Sequence, residues 1–438
     1  MNALSPLDDR YAARIADVSS LFSGFSFMKY RLLIECEYLI FVVSLLDPDS
    51  PDFDAQAVRR LHADFDEAEL RKIHERERIM NHDVRALVDY VRSAVPESLR
   101  RWVHFGLTSQ DINSPAMVMT YRDFNNTILG VELDRLTRLL THLAVEHQDT
   151  VMLTFTHGQP AAPSTFGKQI AVFIEKLNYV SNDLFDQYQY RTKIGGSNGD
   201  LTGLKFCFPQ VQWDNKLADF LQYTFELGRN ARTTQIDDYI NYMKLFQIYE
   251  RYCYLLMNFC QDMWMYIHKG YLRLAEAKVD VGSSAMSPRI SPIHFENAEG
   301  NLKIAAGLFH TIGTSISLSR MQRDLTDSTM LRNVGVACGH MTLAVRNICA
   351  GVRRVDVDTD EVERDLEVHG AVFMDFYQLK LRQWGVSDAH DVCKSYARGA
   401  AVLSVDGLVR HLERVGIQLT SCQRSELSLD IDGVIRSV

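Results

Sequence analysis

Apolar residues recur along this chain at helical rather than alternating spacing. From 239 to 268, Tyr242, Met243, Leu245, Phe246, Ile248, Tyr249, Tyr252, Leu255, Leu256, Phe259, Met263, Trp264 and Ile267 cover nearly every face of a helix. Such an element must be buried all round. Residues 165–190 carry a narrower stripe through Ile170, Phe173, Ile174, Leu177, Val180 and Leu184, which predicts a helix packed on the first. Residues 296–319 give a third long helix through Leu302, Ile304, Leu308, Ile312 and Ile316. An interior proline breaks a helix, and none occurs between Pro209 and Pro288 or after Pro292. Alternating β-branched runs are scarce, so the expected fold class is all-α, a bundle of long helices.

At 438 residues the chain exceeds what one core usually serves, and three regions are expected: an N-terminal helical region 1–105, a central long-helix region 106–350 and a C-terminal helical region 351–438. Apolar residues make up 46% and charged residues 24%, the balance of a globular protein. A net charge of −9 argues against a nucleic-acid partner, which needs a basic face. No apolar run is long enough for a membrane span and the N-terminus lacks a leader pattern, so a cytoplasmic protein without a membrane partner is expected. The eight cysteines are scattered, without a CxxC pair, and are expected to be reduced core residues; no metal site is expected. Helices apolar on several faces pair across subunits, which predicts a homo-oligomer.

Polar clusters punctuate this pattern. Gly282-Ser283-Ser284-Ala285-Met286-Ser287-Pro288-Arg289-Ile290-Ser291-Pro292 sets small and hydroxylated residues between two long helices, and alone reads as a surface loop. Thr156-His157-Gly158-Gln159-Pro160-Ala161 places a histidine in the turn that opens the 165–190 helix, where an imidazole serves as a proton donor or as a structural residue. The run from Arg320 to Arg332 offers three guanidinium groups with Asp324 and Asp327 to orient them. That set suits phosphate or carboxylate oxygens, or a solvated ion-pair network. Asn81-His82-Asp83-Val84 and Leu107-Thr108-Ser109-Gln110-Asp111 are further clusters that composition does not rank.

Taken together and in this order, these segments resemble the signatures of the fumarase/aspartase superfamily, in particular its adenylosuccinate lyase branch. Ser5-Pro6-Leu7-Asp8-Asp9-Arg10-Tyr11 and Gln322-Arg323-Asp324-Leu325-Thr326-Asp327-Ser328-Thr329 complete the set, and the resemblance spans nearly the whole chain. It implies Ser283 as general base and His157 as general acid, with Glu296 holding the histidine's tautomer and His82 positioning substrate. It implies Arg10, Tyr11, Arg323, Ser328 and Arg332 as phosphate ligands. Thr108, Ser109, Thr156 and Gln235 match positions that grip the succinyl group and the base, and Asn81, Asp83, Ser284, Met286, Arg289 and Ser291 complete the implied substrate contacts. The implied reaction is a cofactor-free anti-elimination that splits a C–N bond of an N-succinyl purine nucleotide and releases fumarate, in a homotetramer whose sites are shared between subunits.

Three segments depart from that pattern. After Gly-Ser-Ser the family continues Xaa-Met-Pro-Xaa-Lys-Xaa-Asn-Pro, whereas Arg289 and Ser291 stand at the lysine and asparagine places and the proline shifts by one. Residues 193–204 lack the branch's tyrosine, asparagine and histidine, and Gln235-Ile236-Asp237-Asp238-Tyr239 lacks its proline-histidine pair. The acid, base and phosphate positions persist while base and succinyl contacts change. This pattern leaves a housekeeping purine enzyme, a specialised relative acting on another succinylated amine or modified nucleotide, and a non-catalytic helical scaffold as the readings to separate.

Overall fold

A computed structural model describes residues 4–275, 290–399, 404–427 and 435. Among the described residues helices dominate, as the periodicity predicts, joined by three two-stranded sheets. The apolar stripes materialise as the helices Phe166–Phe185, Ile240–His268 and Ile293–Ser315. Contacts divide the chain into two units: Met1–Asp134, Tyr179–Met257 and Ala298–Arg346 form one, and Arg135–Asn178, Asn258–Asn297 and Asn347–Val438 the other.

The first unit is built around an aromatic column. Tyr242, Phe246 and Tyr249 are fully buried on the Ile240–His268 helix. Tyr121 meets Tyr242 and Phe246 edge-on at 5.7 and 5.8 Å, and Tyr249 lies 5.1 Å from Phe309. Rings this large supply much of the burial energy, but each buried hydroxyl then needs a partner. The Tyr249 hydroxyl donates to Asn125 Oδ1 at 2.6 Å, and Asn125 Nδ2 donates to the Tyr190 hydroxyl at 2.8 Å. Asn125 opens a π-turn, Asn125–Leu129, between the Ser109–Phe124 and Gly130–Glu146 helices. The widened turn leaves a buried amide free to serve two tyrosines.

The second unit holds a hairpin of Val151–Thr156 against Gln159–Thr165, and a short sheet of Leu272–Leu274 against Val355–Val357. The C-terminal helices Met374–Gln383, Ala389–Gly399 and Val405–Arg414 close over their own cluster of Leu381, Cys393, Tyr396, Leu408 and Leu412. No helix among the described residues is long and apolar enough to cross a membrane.

Two expectations are corrected. The His157 segment does not open the long helix directly: it is the tip of the hairpin, whose second strand runs to Thr165 before the helix begins. Pro160 and Pro163 conceal that strand in the sequence. Of the cysteines, none of which is in a disulfide, six are buried, but Cys207 and Cys422 are exposed on short helices.

Gly167 joins hairpin to helix by donating its N–H to the His147 carbonyl at 2.9 Å. A Cβ there would lie 2.2 Å from the Ala144 carbonyl oxygen and 2.7 Å from Gln148 Cα, both backbone atoms. Gly167→Ala is therefore expected to destabilise the protein by about 1–3 kcal/mol, as overpacking does. Thermal and urea melts check this, and an unchanged midpoint would contradict the close approach.

Candidate active site

In the first unit, one helix end organises the polar residues. Asp111, in the first turn of the Ser109–Phe124 helix, accepts the Thr108 N–H at 2.8 Å and the Gly195 and Gly196 N–H groups at 2.7 and 3.1 Å. It also pairs with Lys193 Nζ at 2.7 Å, and both side chains are 0% exposed. Lys193 donates in turn to the Gly196 carbonyl at 3.0 Å. Burial pulls the Lys193 ammonium down, against the pull of Asp111 that favours its charge. A buried ion pair survives only when its remaining donors and acceptors are satisfied, and the backbone of residues 193–196 does that here.

One turn further on, Ser114 donates to Asp237 Oδ2 at 2.8 Å, while Thr192 donates to Ser114 at 2.9 Å. Asp237 also accepts Asn230 Nδ2 at 3.0 Å. Burial pushes the Asp237 carboxyl up to about 6, opposed by the Ser114 bond and reinforced by the charge of Asp238. Gln235 donates to the Ser197 carbonyl at 2.9 Å, and Gly199 lies against the Thr233 and Thr234 carbonyls where a Cβ would not fit. Segments 193–199 and 230–239 thus form one platform held by the Ser109–Phe124 helix. Asp200 turns to its own chain, accepting Thr202 N at 2.9 Å, and Leu201 is buried with a φ of +63°.

Asn81, His82 and Asp83 form a helix junction. Asn81 ends the Glu67–Met80 helix with a φ of +52°, and His82 Nδ1 accepts Arg85 N–H at 3.2 Å as the cap of the Asp83–Ala94 helix. That bond leaves the proton of a neutral ring on Nε2, the nitrogen free to act outward. Asp83 pairs with Arg31 at 2.9 Å. Burial alone would raise its carboxyl, and the guanidinium holds it below the usual range. Arg31 stacks 4.0 Å over Phe27, and its buried Nε has no hydrogen-bond partner among the described residues. Together with Glu77, His74 and Arg332, Arg31 and Asp83 line a cavity of about 370 Å³.

The phosphate candidates share one property. Arg10, Arg323 and Arg332 have no carboxylate partner among the described residues, whereas Arg320 is bound to Asp324 at 2.9 Å. Asp324 is held down at about 2, first by Thr326 and then by Arg320. Asp327 orients no arginine; it turns inward. Tyr11 is half-buried beside Arg10, whose guanidinium lies 5.8 Å from its ring. Ser328 and Ser109 begin or follow helix starts, and Thr108 is half-buried at the cap.

In the second unit, His157 and Gly158 form a two-residue turn with φ of +54° and +70°, the primed geometry that matches strand twist. The exposed imidazole, beside exposed Thr156, has no hydrogen-bond partner among the described residues. Lys269 braces the hairpin, 4.8 Å from the Phe155 ring and 3.0 Å from Asp365, which also accepts the Tyr271 hydroxyl at 2.6 Å. Glu296 is exposed and accepts the Trp264 indole N–H at 3.2 Å, so within one chain its bond is to Trp264 and not to His157. Arg354 donates to the Ala275 carbonyl at 3.0 Å and contacts His294 Nε2 at 3.3 Å, joining the residues on either side of 276–289. Ser283, Ser284, Met286 and Arg289 lie outside the described residues; Ser291 is half-buried, its carbonyl accepting Ile293 N–H at 2.8 Å. Lys193, Tyr239 and Arg31 were not singled out as site residues in the sequence, since a lysine beside a glycine pair carries no signal until its buried partner is known.

The raised Asp237 carboxyl has a measurable consequence. The folded protein keeps this proton to about pH 6, while the unfolded chain releases it near 4. The contribution to stability is therefore complete below pH 4 and lost as pH rises through 6, on the order of 2–3 kcal/mol. Asp237→Asn, whose amide replaces that proton, is expected to gain stability over the parent between pH 4.5 and pH 8. Parallel pH profiles in urea melts would contradict this.

Known proteins share sequence and fold with this chain. A family profile described as Lyase matches residues 49–307, and one described as Adenylosuccinate lyase C-terminal matches residues 319–427. The adenylosuccinate lyase of Dictyostelium discoideum is 33% identical over 411 residues, covering 91% of this chain and 88% of that protein. The Escherichia coli K12 adenylosuccinate lyase is 29% identical over 436 residues, covering 98% and 94%. Among solved structures, a fumarate lyase from Mesorhizobium sp. BNC1 superposes with a TM-score of 0.78 at 17% identity, covering 96% of both chains. The 3-carboxy-cis,cis-muconate lactonizing enzyme from Pseudomonas putida gives 0.77 at 18% identity, covering 98% of this chain and 96% of its own. These two establish the fold, and the sequence relatives establish the kinship: the chain belongs to the adenylosuccinate lyase family.

Proposed function

We propose that this protein is a C–N lyase that releases fumarate from N-succinyl purine nucleotides, taking adenylosuccinate to AMP and acting likewise on succinylated aminoimidazole carboxamide ribotide in purine biosynthesis. The observation that carries the reading is the relationship to adenylosuccinate lyases over more than nine-tenths of the chain. Arg10, Arg323 and Arg332, which have no carboxylate partner among the described residues, support it.

In this reading Ser283 takes the proton from the carbon β to the leaving nitrogen. Electrons pass through a carbanion stabilised by the neighbouring carboxylate, the C–N bond breaks, and His157 protonates the departing nitrogen. His157 is suited to this because its turn presents an unpartnered ring on a braced hairpin. A serine is a poor base in water, so the site must exclude solvent and supply donors to the alkoxide. Glu296 orients His157, a role that its Trp264 bond within the chain leaves to an arrangement between subunits. His82, Asn81 and Asp83 position substrate; Arg10, Tyr11, Arg323, Ser328 and Arg332 hold the phosphate; Thr108, Ser109, Thr156 and Gln235, with Ser284, Met286, Arg289 and Ser291, meet the succinyl group and base. The 1–105, 106–350 and 351–438 regions serve as working divisions.

Exposed Tyr254, Trp264 and Met265 on the Ile240–His268 helix, with Ile304 on the Ile293–Ser315 helix, suit burial in a cytoplasmic homotetramer. One observation favours a second reading, a specialised relative for another succinylated amine: Leu201 is buried, Asp200 binds its own chain and Gln235 donates to Ser197. Asp200 and Gln235 are thus committed to bonds within the chain rather than to a base.

Fumarate release from both succinyl nucleotides is expected, with Ser283→Ala and His157→Ala each lowering kcat at least a hundredfold. Absence of turnover on either substrate by the parent enzyme would overturn the housekeeping reading. Arg289→Lys is expected to retain activity and Arg289→Met to lose it; survival of Arg289→Met would place the carboxylate elsewhere.

A further inference from the structure

Three segments that carry candidate substrate ligands end on one buried carboxylate. Asp327 is 4% exposed. Its Oδ2 accepts the Tyr239 hydroxyl at 2.5 Å and Gln110 Nε2 at 3.4 Å, and its Oδ1 accepts the Ser328 N–H at 2.7 Å. Gln110 follows Ser109, Tyr239 lies four residues after Gln235, and Ser328 is itself a phosphate candidate. Tyr239 reaches the carboxylate with a φ of +60°, a conformation bulky residues rarely adopt. Its ring packs edge-on to Tyr242 at 5.1 Å. Burial, then the charge of Asp327, keeps its hydroxyl protonated as a donor. The positive charge of Arg323 acts at the same place, since it opposes both the rise of Tyr239 and the charging of Lys193.

We propose that Asp327 is a positioning residue for phosphate binding: by tying the Ser328 backbone to Tyr239 and Gln110, it sets where Ser328 meets the substrate phosphate. Buried beneath that segment, it acts through Ser328 and touches no ligand. The inference rests on the reading of Arg323, Ser328 and Arg332 as phosphate ligands. Both Asp327 oxygens are acceptors, whereas an asparagine offers one acceptor and turns N–H donors toward either Ser328 or Tyr239. Tyr239→Phe removes the shortest bond and keeps the ring packing.

The test is steady-state kinetics on adenylosuccinate with AMP and fumarate as product inhibitors, for the parent enzyme, Asp327→Asn, Tyr239→Phe and the direct-ligand reference Arg323→Met. Asp327→Asn is expected to raise KM and the AMP inhibition constant about tenfold, with kcat within about threefold and the fumarate constant unmoved. Tyr239→Phe should shift the same two constants about threefold, which keeps the test decisive where Asp327→Asn does not fold. A kcat loss with KM and AMP inhibition at parental values, or equal shifts in AMP and fumarate inhibition, would overturn the inference. Parental AMP inhibition in Arg323→Met would overturn the phosphate reading and this inference with it. Loss of AMP inhibition in Arg323→Met beside parental behaviour in Tyr239→Phe and Asp327→Asn would overturn this inference alone.

Discussion

The ion pair between Asp111 and Lys193 is the constraint on which the first unit's site depends. Both side chains are sealed from water, 2.7 Å apart, in the first turn of the Ser109–Phe124 helix and the start of the 193–199 segment. Charges in such a place are costly unless fully paired, so the backbone around them has little freedom. The pair fixes the Gly195 and Gly196 amides. Gln110 and Ser114 on the same helix extend the principle to Asp327 and Asp237. Irregular loops are thereby held by buried polar bonds rather than by sheet or helix.

The second unit uses a different device. His157 stands at a tight turn on two strands, with Lys269 and Tyr271 against Phe155 near the tip of the hairpin and Asp365 holding Lys269. In the proposed reaction the His157 ring exchanges protons, and the primed turn gives it a rigid mount and an edge without a partner among the described residues. Arg354, just past the Val334–Val352 helix, contacts both Ala275 and His294, the residues on either side of 276–289.

Periodicity was sufficient for the long helices because their stripes are set by burial, which leaves a 3.6-residue trace; the Ile240–His268 helix matches its apolar run to within one residue. The hairpin was illegible because two prolines and short threonine-rich strands carry no alternation, so His157 was assigned to a helix entry. The motif segments carry the candidate residues, yet the bonds of Asp111, Lys193 and Asp327 reach partners 82 to 217 positions away in sequence. No local pattern encodes those pairings. Gln235, which the resemblance implies as a substrate contact, also donates to the Ser197 carbonyl within the platform, a bond that no local pattern encodes.

The most direct test of this account is a crystal structure of the enzyme with AMP and fumarate bound. The AMP phosphate is expected on Arg323 and Ser328, fumarate near His157, and Asp327 buried beneath Ser328 with Tyr239 and no contact to ligand. A phosphate bound away from Arg323 and Ser328, or Asp327 in direct contact with the nucleotide, would contradict it.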